Sequence, residues 1–162
     1  MDAASDGTAG ITRFTAQQRA SGLRELDRLL DALAQELATI SASAPGLGLK
    51  LYRSPGRCVM QGSVGALSVS WFPSAFEEAA IGDLQVIEWR GIVSLPGGAP
   101  TAGRHATIVE AGILHLVWTA ASEWAWQQDD DQSPHSSTKL ARRWADQLRR
   151  LSTSSEGLIP PA

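Results

Sequence analysis

Two segments, LQVIEWRGIVSL (Leu84–Leu95) and RHATIVEAGILHLVWTAASEWAW (Arg104–Trp126), decide how this chain is read. Both are dense in β-branched and aromatic residues, which suit a pleated, half-buried surface. Four of the six tryptophans, Trp89, Trp118, Trp124 and Trp126, lie in them. The composition predicts strands here, and a sheet that flanking helices cover.

Leu84–Leu95 reads as the longest strand. Ile87, Trp89, Val93 and Leu95 share one face, and Glu88 with Arg90 takes the other, which alternation makes the wet one. Pro96–Gly103 holds two prolines and three glycines, as an exposed hairpin loop does. His105–Glu110 and Ile113–Trp118 are strand-like. Ala111-Gly112 between them reads equally as a bulge or a hairpin tip. Glu123–Trp126 is a last short strand with Trp124 and Trp126 on one face.

Upstream, Leu49–Arg53, Cys58–Gln61 and Ala66–Phe72 are short strands separated by turn signals at Ser54-Pro55-Gly56 and Gly62–Gly65. In the third, Leu67, Val69 and Trp71 alternate with Ser68 and Ser70, so one face is buried. Connections this tight predict an antiparallel meander. Ser74–Ala80 reads as a single helical turn.

Helices flank the strands. Thr15 and Gln18 have capping-box spacing at the start of a helix over Thr15–Ile40. Leu23, Leu26, Leu30, Leu33, Leu37 and Ile40 form its apolar stripe. The same spacing is an a/d heptad, which leaves a coiled-coil homodimer open beside a helix lying on its own sheet. A second helix, Thr138–Leu151, carries the stripe Leu140, Trp144, Leu148 and Leu151.

The expected architecture is α+β. It comprises a long N-terminal helix, an antiparallel β-meander of 5–7 strands and a C-terminal helix, with the helices packed on one face of the sheet. Residues 12–152 form a single domain between a disordered tail, 1–11, and a flexible tail, 153–162. The element order is similar to that of small secretion-chaperone-like and helix-grip folds. That resemblance carries no motif and implies architecture alone.

A net charge of −3 gives no global footprint for nucleic acid, and a lone cysteine, Cys58, permits no internal disulfide. The first ten residues have neither the basic nor the apolar part of a secretory signal, and no stretch is long and apolar enough for a membrane span. The expectation is a cytoplasmic protein.

Chemistry-bearing motifs are sparse. His105, His115, His135 and Cys58 lack zinc-site spacing, and Asp129–Asp131 lacks the alternation of a calcium loop. Cys58, in a strand, reads as a small core hydrophobe. His115, between Ile113 and Val117, reads as a hydrogen-bonded histidine in or near the core. If the hairpin centres on Pro96–Gly103, Glu88, Arg90 and Glu110 come together, either as acid/base residues or as a cross-strand ion cluster on a wet face. Alternation favours the cluster.

The C-terminal helix is the one biased surface, with Lys139, Arg142, Arg143, Arg149 and Arg150 against Asp146. The sequence therefore points to a non-catalytic protein-interaction module, an adaptor or chaperone-like subunit open to homodimerisation, with no cofactor and no metal. Its candidate binding residues are Arg142, Arg143, Arg149, Arg150, Trp124 and Trp126, since tryptophan is enriched at binding hot spots. A small-molecule binder or enzyme with a tryptophan-lined sheet under a helix is the alternative, and a nucleic-acid contact through the basic helix stands third.

Overall fold

The computed structural model describes residues 14–75, 80–93, 106–131 and 133–153. The tails expected at 1–11 and beyond Thr153, the core of the turn expected at Ser74–Ala80 and the loop expected at Pro96–Gly103 lie outside them.

Helix α1 spans Ala16–Ser43. Its capping box forms as the sequence predicts. Thr15 Oγ1 accepts from the Gln18 N–H at 3.1 Å, and the Gln18 side chain accepts from the Thr15 N–H at 2.9 Å. The buried stripe runs Leu26, Leu29, Leu30, Leu33, Leu37 and Ile40. Leu23, assigned to that stripe from its spacing, is instead 46% exposed. The stripe starts a turn later and is widened by Leu29, as suits a helix packed on both a sheet and a second helix. Here α1 packs against α2 (Ser137–Thr153) and the sheet. A short 3₁₀ turn, Pro45–Leu47, follows α1 and ends on Gly48 at φ 61°, a left-handed conformation that glycine adopts without strain.

Six strands follow: β1 (Lys50–Ser54), β2 (Arg57–Gln61), β3 (Gly65–Pro73), β4 (Gly82–Arg90), β5 (Thr107–Trp118) and β6 (Trp124–Gln128). They pair antiparallel in sequence order. The question at Ala111-Gly112 is answered by an unbroken β5, with one register shift in the β4–β5 ladder between Glu88 and Trp89. Gln61 pins the β2–β3 turn to the end of β4. Its amide donates to the Gly62, Gly65 and Gly91 carbonyls and accepts from the Val93 N–H.

Both helices cover one face. Met60, Leu67, Val69, Leu84, Leu114, Leu116, Trp124 and Trp126 meet Leu26, Leu29, Leu33, Leu140, Trp144 and Leu148 in one core. The ladder sets the faces of β4. Leu84, Val86 and Glu88 stand beside Trp71, Val69 and Leu67, so they face the helices. The wet-face assignment of Glu88 is therefore corrected. Leu84–Arg90 contains two apolar series, Leu84/Val86 and Ile87/Trp89. Pairing with β3 selects the first, and Trp89 lies on the outer face with its indole N–H donating to Ser68 Oγ at 2.8 Å. Among the described residues, no helix packs on that outer face.

Candidate functional site

The outer half of β5 differs from the rest of the sheet. β5 has twelve residues and β6 only five, and the two pair from Leu114 to Trp118. Upstream, Thr107–Ile113 has β4 on one side and, among the described residues, no strand on the other. Hydrogen-bond phase says which groups are left open. The Thr119 N–H donates to the Glu123 carbonyl, so alternation turns the odd-numbered positions of β5 towards β6. Ala111 thus presents its N–H and C=O groups to the open edge, and Ile113, at the margin of the β6 pairing, presents its N–H.

The side chains there are apolar and exposed. Ile108 is 58%, Val109 51% and Ile113 43% exposed. A depression of about 350 Å³ adjoins Ile113, lined also by Gln85, Glu110, Gln128, Asp129 and Asp130 among others. It has three carboxylates and no Lys or Arg in its lining. An exposed isoleucine beside three carboxylates, of which only Asp129 has a cationic partner nearby, His115, makes this a chemically biased part of the sheet.

His115 fixes one of those carboxylates. On β5 it stands opposite Asp83 of β4, with Nδ1 2.6 Å from Asp83 Oδ1 and Nε2 2.6 Å from Asp129 Oδ1. Both ring nitrogens then donate, which requires the imidazolium. The hydrogen bond to Asp83, above all, raises its pKa over the usual histidine value; burial opposes this, and the bond to Asp129 and the charges of both carboxylates add to the rise. With both nitrogens committed, the ring offers no free base to a substrate. The sequence reading of a hydrogen-bonded histidine holds, but on the outer face and half-exposed rather than in the core.

Asp131 does the same for the β6 edge. It accepts from His135 Nε2 at 2.8 Å and from the Ser133 N–H at 2.9 Å, and the backbone bond to Ser133 is the main cause of its lowered pKa. His135 pairs its backbone with Trp126 by two bonds of 2.8 Å, closing the outer edge of β6. The acidic run thus holds two histidines.

The residues singled out from sequence fall elsewhere. Trp124 and Trp126 are core residues whose indole N–H groups donate to Ser21 at 3.1 Å and Ser137 at 2.9 Å. Both lie on the face the helices cover, and Trp124 also borders a depression of about 410 Å³ with Arg24, Arg28 and Trp118. Arg142 lies 3.6 Å from Glu36 of α1, and Arg149 lies 3.6 Å from Asp146. Arg150 is exposed in the last turn of α2.

Arg143 borders a small cleft of about 70 Å³ between α2 and the sheet, with Glu88, Glu110 and Gln147. That volume falls far below the ~300–1,000 Å³ of ligand pockets, so this space beneath α2 is not a small-molecule cavity. Glu88 and Glu110 are direct cross-strand neighbours, as the hairpin predicts. The Gln147 amide donates to Glu88, while Arg90 forms no ion pair with either carboxylate among the described residues. Cys58 is fully buried, and burial pushes its thiol up to about 11 despite the opposing charge of Arg53.

Comparison with protein-family models, with curated proteins and with solved structures finds no match. Among the described residues, no helix is long and apolar enough to cross a membrane.

Proposed function

We propose that this chain is a non-catalytic protein-interaction module, and that its partner docks on the outer half of β5 with a surface combining apolar and basic side chains. The observation that carries this reading is the juxtaposition of exposed Ile113 with the carboxylates of Glu110, Asp129 and Asp130, on a strand that also exposes Ile108 and Val109. Apolar groups supply the desolvation energy, and the carboxylates select the partner's charge and speed its approach. Arg143 stands across the neighbouring cleft and forms no ion pair with Glu110 among the described residues.

Selection of a random-peptide phage library on the immobilised protein tests the reading. Clones rich in Lys or Arg and in apolar residues should enrich and should fail to bind an Ile113→Asp variant. Ile113 is exposed on the outer face, so this change leaves the core intact. No enrichment over background, or enriched clones that bind the variant equally well, overturns it.

A further inference from the structure

An open strand edge is normally guarded, because its unpaired N–H and C=O groups are a template for another strand. This sheet guards its edges unequally. β6 is closed by the His135 bridge. β1, the opposite edge, carries Lys50 and Arg53, and Arg53 reaches across to Asp31 at 2.5 Å. Thr107–Ile113 of β5 has neither device. Its exposed side chains include Ile108, Val109 and Ile113, and its outward N–H groups at Ala111 and Ile113 and the Ala111 carbonyl have no strand beside them among the described residues.

We propose that the partner contributes an extended segment that pairs antiparallel with Thr107–Ile113, continuing the line that β6 abandons at Gln128. This rests on the reading of β5 as the interaction surface and adds the mode of binding. The pattern of β5 specifies the segment. Ile108, Ala111 and Ile113 point to the outer face, and Glu110 points to the other. A strand docked alongside places alternate side chains beside each set. The matching segment is apolar on one face and basic on the other, the side of Glu110, with Asp130 also bordering the depression. Main-chain bonds to Ala111 and Ile113 provide the affinity common to strand addition, and the alternating side chains provide the selectivity. Asp129, held by His115, marks where the added strand must stop.

A blocked heptapeptide alternating lysine and valine is the probe. Its binding should slow amide hydrogen exchange at Ala111 and Ile113. N-methylation of its alternate amides should weaken it by about tenfold or more, as should Ala111→Pro, which removes an edge-facing donor while sparing the ladder to β4. A glutamate–valine peptide of the same length should not bind. The N-methylated peptide keeps the result decisive if Ala111→Pro disturbs folding, since there the protein is unaltered. Strand pairing is overturned if the lysine–valine peptide does not bind, if both methylated and unmethylated forms bind alike, or if the two amides stay unprotected. A peptide that is weakened by Ile113→Asp but is indifferent to N-methylation rejects strand pairing and leaves the interaction surface standing. Equal binding of the glutamate peptide overturns the basic segment.

Discussion

The hydroxyl of Ser137 donates to the Glu25 carboxylate at 2.7 Å, joining the first turn of α2 to α1 across 112 positions of sequence. The same oxygen accepts the Trp126 indole N–H at 2.9 Å, and Arg28 donates to the other Glu25 oxygen at 2.7 Å. Glu25, Ser137 and Trp126 are all buried. A buried carboxylate is tolerable because hydroxyl and guanidinium both serve it, near the positive end of α2. Ser137→Ala removes the link and leaves a buried indole N–H and a buried carboxylate oxygen each short of a partner. We expect a loss of about 1–3 kcal/mol, read as a lower denaturation midpoint at unchanged m-value. A midpoint equal to that of the unaltered chain would show that the network adds nothing.

Trp144 anchors α2. It is buried beside Leu140 and Leu148 against the sheet. Trp144→Ala should cost about 3–5 kcal/mol in urea denaturation, from lost burial plus the cavity left behind. An unchanged midpoint would mean that α2 is not part of the core.

Cys58 should be inert in the folded protein. Its thiol is fully buried and pushed up to about 11, so little thiolate exists at neutral pH. Iodoacetamide should label it only on the timescale of unfolding, and denaturant should accelerate labelling by orders of magnitude. Rapid stoichiometric labelling under native conditions contradicts this.

Much of the fold was legible because its signals are local. The Thr15/Gln18 box, the turn at Ser54–Gly56 and the alternation of Leu67, Val69 and Trp71 each depend on neighbours within a few residues. Glu88 was misassigned because Leu84–Arg90 carries two apolar series, and only pairing with β3 chooses between them. Trp124 and Trp126 illustrate a different limit. Tryptophan abundance marks both interfaces and cores, and the exposure that separates them is a tertiary property.

The surface on β5 left a partial trace in sequence. If a bulge joins His105–Glu110 to Ile113–Trp118, the resulting strand outlasts the short Glu123–Trp126, and a hairpin of unequal arms must leave part of the longer arm unpaired on that side, as β5 and β6 do. The Asp83–His115–Asp129 group left none, since its members come from β4, β5 and the turn after β6. Asp83 lies just ahead of the strand-like stretch Leu84–Leu95, whereas β4 already begins at Gly82.

His115 should make stability pH-dependent above neutrality's acid side. Its folded pKa is raised relative to the unfolded value of about 6.5. A group whose pKa rises on folding binds its proton more tightly in the native state. Its stabilisation is fully present below about pH 6.5 and is lost as pH climbs through the raised folded value. On deprotonation one ring nitrogen loses its hydrogen, and the imidazole can then donate to Asp83 or to Asp129 but not to both. The difference in melting temperature between the unaltered chain and His115→Gln should therefore shrink as pH rises from 6 to 9. An NMR titration separates the two partners. Asp83→Asn should lower the His115 pKa more than Asp129→Asn, because the bond to Asp83 is the largest contribution. A His115 pKa at or below about 6.5 in the unaltered chain would show that the two carboxylates do not hold the ring.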